Sequence, residues 1–201
     1  MKKIAIALLC VFAAPLAHAD DGTWRFTVGA HNVDPTSDNG SLAAGALDVD
    51  VGSNWRPSFT AEYFLNDHLG VEVLAALPFK HDVKLNGVAA GEVTHLPPTV
   101  SLQYHFSPEA KISPYLGAGV NFTWIYSEDS AGPIAGTELK LKNSWGLAAH
   151  AGVDFKLEND WFVGVDARWI DIDSDVSVNT VQVGTVNIDP LVYGVYVGKR
   201  F

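Results

Sequence analysis

The chain has 201 residues, of which 48% are hydrophobic, 11% aromatic and 18% charged, and its formal net charge is -10. That length suits one domain with a substantial core, and a charged fraction below the roughly 25% of soluble domains, with an acidic balance, excludes nucleic acid as a partner. The charges are interspersed, not blocked, which excludes a disordered acidic tail.

The chain opens on "MKKIAIALLCVFAAPLAHA". Lys2 and Lys3 form a basic n-region, Ile4 to Ala17 is apolar but too short to span a bilayer, and Ala17-His18-Ala19 has the small-x-small form of a cleavage site. Residues 1–19 therefore read as a bacterial secretory signal peptide and 20–201 as the mature domain. The single cysteine, Cys10, leaves with the signal, so no disulfide is expected although the compartment would permit one. Beyond Ala19 no run of about 18 apolar residues occurs, which excludes a transmembrane helix.

From there the sequence alternates with a period of two. Thr23–Asn32 carries Trp24, Phe26, Val28 and Ala30 on one face. Trp55–Leu65, Leu69–Phe79 and Pro98–Phe106 repeat the pattern, the last with Val100, Leu102, Tyr104 and Phe106. Pro114–Tyr126 alternates Leu116, Ala118, Val120, Phe122 and Trp124 with Gly117, Gly119, Asn121 and Thr123. Ser144–Leu157, Trp161–Asp173 and Ile188–Phe201 complete eight segments. Such alternation marks strands with one apolar and one polar face.

The connections sort by length. Leu65–His68, Ser107–Lys111 and Glu158–Asp160 are tight, whereas Val33–Asn54, Lys80–Leu96, Ser127–Asn143 and Ser174–Asn187 are long and polar. Short periplasmic turns and long extracellular loops characterise outer-membrane barrels. Trp24, Tyr63, Tyr104, Phe106, Phe155, Trp161 and Phe201 cluster at the turn ends, and Trp55, Trp124, Tyr126, Trp145 and Trp169 at the loop ends. Two aromatic belts fit two membrane interfaces; a soluble β-sandwich alternates too but needs no belts. The predicted fold is all-β, an eight-stranded antiparallel up-and-down transmembrane β-barrel. Its last strand must pair with the first to leave no edge.

The blocks "NDHLGVEVLAALPFKH" (Asn66–His81), "HLPPTVSLQYHF" (His95–Phe106), "PYLGAGVNFT" (Pro114–Thr123), "LKNSWG" (Leu141–Gly146), "NDWFVGVDARWIDID" (Asn159–Asp173) and the closing "GKRF" resemble the outer membrane protein W family, in order, across nearly the whole mature chain. The resemblance implies residence in the bacterial outer membrane among lipids and lipopolysaccharide. It also implies a narrow hydrophobic cavity, a role in passing small hydrophobic molecules, and a terminal Phe201 read by the barrel assembly machinery. Leu74 falls where the family has an apolar cavity-lining residue, whereas Arg168 stands where some members carry an aromatic gate.

Inward positions follow from the alternation: Arg25, Thr27, His31, Ser58, Thr60, Glu62, Glu72, Leu74, Thr99, Ser101, Gln103, His105, Asn121, Thr123, His150, Asp154, Asp166 and Arg168. Eight strands leave room only for side chains, which excludes a wide porin. Glu62, Glu72, Asp154 and Asp166 facing Arg25 and Arg168 predict an ion-paired plug in the lower half, since isolated buried charges are costly. Above it Leu74, Pro78, Phe79, Leu96, Ile125 and Ile170 predict an apolar mouth for a hydrophobic ligand. Pro97-Pro98 weakens the fourth strand's ladder, which points to a lateral exit into the bilayer.

Asp171, Asp173 and Asp175 alternate and offer calcium-type oxygen ligands, but no calcium-loop pattern accompanies them; no metal or other cofactor is expected. Ser101 and His105 sit about 13 Å apart at about 3.3 Å per residue, too far for a nucleophile and its base, so no enzyme is expected. The expected function is a channel for small hydrophobic molecules. The alternative is a structural or receptor barrel with a filled lumen, whose loops bind lipopolysaccharide, phage, bacteriocin or host surfaces.

Overall fold

The computed structural model describes residues 23–36 and 38–201, so the expected signal peptide lies outside the described residues. In chain order the strands are β1 (Trp24–Asp34), β2 (Ser41–Leu42), β3 (Leu47–Val51), β4 (Asn54–Phe64) and β5 (Leu69–Ala76). Then come β6 (Phe79–Leu85), β7 (Val88–Leu96), β8 (Thr99–His105), β9 (Ile112–Ser130) and β10 (Leu139–Leu141). The last are β11 (Ser144–Lys156), β12 (Trp161–Ile170), β13 (Asp173–Val178), β14 (Val181–Asn187) and β15 (Leu191–Arg200).

Eight of these, β1, β4, β5, β8, β9, β11, β12 and β15, form a closed antiparallel meander in which each strand pairs with the next in the chain. β15 returns to β1 and closes the ring in register from Arg25↔Arg200 to Asp34↔Leu191. The terminal residue extends the seam: Trp24 N–H donates to the Phe201 carbonyl at 3.2 Å and Phe201 N–H to the Trp24 carbonyl at 2.8 Å. The Phe201 backbone, just past β15, is thus held against the start of β1.

The alternation has a cause on each face. Val100, Leu102 and Tyr104 of β8 are exposed, while Thr99, Ser101, Gln103 and His105 between them are buried in the lumen. Every residue assigned inward from the sequence is buried. The belt residues Tyr63, Tyr104, Phe106, Phe155, Trp161 and Phe201 are exposed at one end, and Trp55, Trp124, Tyr126, Trp145 and Trp169 at the other.

The long polar stretches are not loops. They hold β2, β3, β6, β7, the upper part of β9, β10, β13 and β14. One extension sheet runs β9-β7-β6-β3-β2 and a second runs β10-β13-β14. They are stitched by Ala43 N–H to the Val183 carbonyl at 2.8 Å. Asn39, fully buried, donates from Nδ2 to the Asn187 carbonyl at 2.8 Å and accepts from Val51 N–H at 3.0 Å. An apolar cluster lines the space between them, from Val33, Phe79, Ala148, Ile170 and Val192 at the rim to Leu42, Leu85 and Leu139 further out.

Inside the barrel two glycines are required by close approach. A Cβ on Gly152 would collide with the Tyr115 ring and one on Gly164 with the Tyr196 ring. Overfilling a packed interior costs about 1–3 kcal/mol. Gly164→Leu is expected to lower stability by about that amount, read as an earlier midpoint in urea unfolding of the protein in bilayers, with Val163→Leu on the lipid face nearly neutral.

Candidate functional site

The lumen floor is an aromatic and charged tier. Tyr115, Phe162 and Tyr196 pack together from β9, β12 and β15. The Arg25 guanidinium lies 4.2 Å from the Phe162 ring centroid and donates to Asp154 Oδ1 at 2.8 Å, with Glu62 Oε2 at 3.5 Å. Tyr196 donates to the same Asp154 oxygen at 2.7 Å. Glu62 also takes Gln103 Nε2 at 3.1 Å and His105 Nε2 at 3.0 Å.

The second tier centres on Arg168. Its Nη1 and Nη2 reach the two Glu72 oxygens at 2.7 and 3.3 Å, and its Nε reaches Asp166 Oδ2 at 2.6 Å. His31 Nε2 meets the other Asp166 oxygen at 2.6 Å and His31 Nδ1 meets Ser58 at 2.5 Å. Bidentate guanidinium pairing is the geometry that best offsets the cost of burying charge. The six charged residues read from the sequence are brought together as two clusters rather than one. They are not confined to the lower half: on β12, Arg168 is the inward residue directly below Ile170.

Above Ile170 the chemistry changes. A cavity of about 220 Å³ lies between the two extension sheets, lined by aliphatic side chains that include Val49, Val83, Leu85, Leu139, Val176 and Val186. Of the six expected mouth residues only Ile125 lines it. Phe79 and Ile170 belong to the apolar cluster at its base, Leu74 is buried inside the barrel, and Pro78 and Leu96 are half-buried. Apart from Ile188, the rest of the lining comes from stretches that read as polar loops. The available signal was their own short alternation, "LDVDV", "FKHDVKL" and "VQVGTVN".

Two histidines at the cavity edge also escaped the sequence reading as a pair. Phe79, His95 and His81 stack, with His81 and His95 centroids 5.0 Å apart and Phe79 and His95 centroids 5.8 Å apart. Burial, reinforced by the neighbouring His81, lowers the His95 pKa from the usual 6.5 to about 3. Burial also lowers that of His81, against the pull of the Gly52 carbonyl and Asp82 and with the help of Arg56.

The wall is interrupted nearby. β5 and β8 pair as far as Leu74↔Thr99, and their continuations pair again only at Phe79↔His95. Pro78, Pro97 and Pro98 lie in the break. Beneath it Asn121 Nδ2 is held by the Pro97 and Pro98 carbonyls at 3.1 and 3.2 Å.

The remaining sequence candidates separate. Asp171 and Asp173 bring their carboxylates together with Asp189 rather than Asp175; Asp175 instead pairs with Lys142 at 3.0 Å. Burial, then Asp189 and Asp171, pushes the Asp173 carboxyl up. Among the described residues Ser101 Oγ has no partner, and His105 is engaged by Glu62 and Gln103, so Ser101 and His105 do not pair.

The model of the OmpW family matches residues 20–201. The chain is 34% identical over 215 residues to outer membrane protein W of Escherichia coli, covering all of both chains. It superimposes on the crystal structure of the outer membrane protein OprG from Pseudomonas aeruginosa with a TM-score of 0.79 at 31% identity, over 90% of this chain and 96% of that one. It is also 27% identical over 195 residues to a dibenzothiophene metabolism operon protein, PahQ, of Pseudomonas aeruginosa, covering 91% of this chain and 90% of that protein.

Arg168→Met strands Glu72 and Asp166 without the guanidinium they share. Breaking such a buried pair costs about 3–5 kcal/mol, so a markedly lower unfolding midpoint in bilayers is expected, partly restored by adding Glu72→Gln. The His95 pKa, depressed on folding, means that the unfolded chain binds the proton more readily. Stability from neutral His95 is therefore complete above pH 6.5 and lost as pH falls towards about 3. The resonances of the extension sheets should broaden over that window before those of the barrel, and His95→Phe should remove this part of the pH dependence.

Proposed function

The chain belongs to the OmpW family of bacterial outer-membrane barrels, and on that premise we propose that it carries small hydrophobic molecules from outside the cell into the outer membrane. The observation that supports this most is the apolar cavity above a charged plug, with Phe79 and Ile170 at its base, near a break in the wall. An apolar solute entering from outside gains free energy there at roughly 25 cal/mol per Å² of surface buried. It cannot descend without breaking the Arg168 and Arg25 clusters. The interruption at Pro97-Pro98 offers a sideways route into lipid. The relative named for a dibenzothiophene metabolism operon is in keeping with apolar aromatic cargo. Phe201, seated in the seam, is read here as the assembly signal.

The filled lumen is the one observation that favours a receptor or structural barrel, because it blocks passage straight through. Uptake decides between them. Cells with the protein are expected to take up a labelled small alkane faster than cells without it, and Leu74→Asp, which puts a charge beneath the break, should abolish the difference. Equal uptake with and without the protein would overturn the transport reading in favour of the receptor. A double Ala75→Cys, Pro98→Cys variant faces two cysteines across the break, one residue beyond Leu74↔Thr99. Its oxidised form should lose uptake and its reduced form keep it; unchanged uptake when oxidised would overturn the lateral exit alone.

A further inference from the structure

At the end away from the chain termini the molecule finishes in four turns, and these form one ring. The tips are residues 43–46 where β2 meets β3, 86–89 where β6 meets β7, 131–137 where β9 leads to β10, and 179–183 where β13 meets β14. Each is bonded to the next. Asn86 Nδ2 donates to the Ala46 carbonyl at 3.1 Å and Ala131 N–H to the Ala90 carbonyl at 2.7 Å. Asn179 N–H donates to the Glu138 carbonyl at 2.9 Å, and Ala43 N–H to the Val183 carbonyl at 2.8 Å closes the circle.

No residue of the four tips is charged, in a chain with 23 acidic and 13 basic residues. Just below them Asp48, Lys84, Asp129 and Glu138 form an exposed charged collar. The tips instead carry alanine, glycine, proline and valine, with Val181 64% and Val88 54% exposed. The other exposed large hydrophobics among the described residues sit on the barrel strands or at their ends, where lipid covers them; these two stand beyond the membrane. Apolar residues exposed singly need no explanation, but a contiguous apolar surface marks a contact. Ala43, Ile134 and Val183 belong to the tips and also line the cavity, so the surface of the ring continues into that of the cavity.

What the ring lacks defines its partner. It has no Lys or Arg to hold a lipopolysaccharide phosphate, and no Trp, Tyr or Arg of the kind that anchors a protein interface. Its small aliphatic side chains match an extended uncharged surface, and a continuous phase touches all four tips at once, so that weak contacts act together. We infer that the ring is a contact surface for a bulk apolar phase, a hydrocarbon droplet or film at the cell surface, from which solute enters the cavity without crossing water. The delivery step rests on the proposed transport; the contact itself does not.

The test uses the full mature chain in lipid nanodiscs, floated with a hexadecane-in-water emulsion against empty nanodiscs as blank. Wild type is expected in the droplet layer at about tenfold the blank. A double Val88→Asp, Val181→Asp variant should fall to the blank, whereas Lys140→Glu, which makes the same change in net charge below the tips, should float as wild type does. Should the double variant fail to fold, Asn179→Asp, which can still accept from Glu138 N–H, should lower flotation several-fold. Flotation of wild type no better than the blank, or of the folded charged variants as good as wild type, would overturn the contact. Pairing of wild-type nanodiscs ring to ring without hexadecane would overturn it in favour of a second copy. Uptake of alkane from dilute solution, with no bulk phase present, should be equal for cells with wild type and with the double variant. Its absence from both would overturn the transport reading and the delivery step, while flotation still decides the contact.

Discussion

Closure of the sheet is the constraint from which the rest follows. In hydrocarbon no water can satisfy an unpaired backbone group, and each one costs several kcal/mol. The β1–β15 seam, extended to Trp24 and Phe201, removes both edges at once. With only eight strands in the ring the lumen is no wider than its own side chains. Polar side chains must then face one another, and charged ones must pair or not fold. The clusters around Arg25 and Arg168 are therefore a consequence of ring size as much as a feature selected in itself.

The same accounting explains how the wall tolerates a break. Proline lacks an N–H, so Pro57, Pro78, Pro97 and Pro98 contribute no orphan donors at this point in the wall. Their carbonyls are taken: Pro57 by Leu77 N–H at 3.0 Å, Pro78 by Arg56 Nε at 2.9 Å, Pro98 by Phe122 N–H at 3.0 Å, and Pro97 by Asn121 Nδ2 at 3.1 Å. A ladder interrupted by ordinary residues would expose several unpaired N–H groups to lipid. Here the interruption is nearly fully satisfied, and so can persist in the folded state.

How much was legible in the sequence divides along the same physical line. Residues such as Ser101, Gln103, Asp166 and Arg168 could be placed inward because lipid on one side and a filled lumen on the other enforce strict alternation. The pairing of those charges could not be read, because strand tilt and stagger bring together Arg25 and Asp154, 129 positions apart. The extension sheets were hidden for a different reason. β3, β6 and β14 present one face to a shared apolar core and the other to water, so runs such as "LDVDV" are half polar in composition and average out as loop. The cavity lining, and with it His81, went unseen for that reason, although "HLPP" already marked where His95 and the wall break meet.

The boundary between the plug and the apolar layer above it is sharp, one inward step on each of two strands: Arg168 to Ile170 on β12 and Glu72 to Leu74 on β5. Magnitudes set what an apolar molecule at that boundary can do. Moving down would mean separating guanidinium from carboxylate at a cost of about 3–5 kcal/mol for each pair broken, while the molecule itself gains nothing from polar surroundings. Moving back out returns its surface to water and forfeits what burial provided. On the proposed lateral route, moving sideways would exchange one apolar environment for another, past carbonyls already satisfied from within the barrel. On that proposal, the asymmetry among these three directions follows from the order of side chains along β5 and β12.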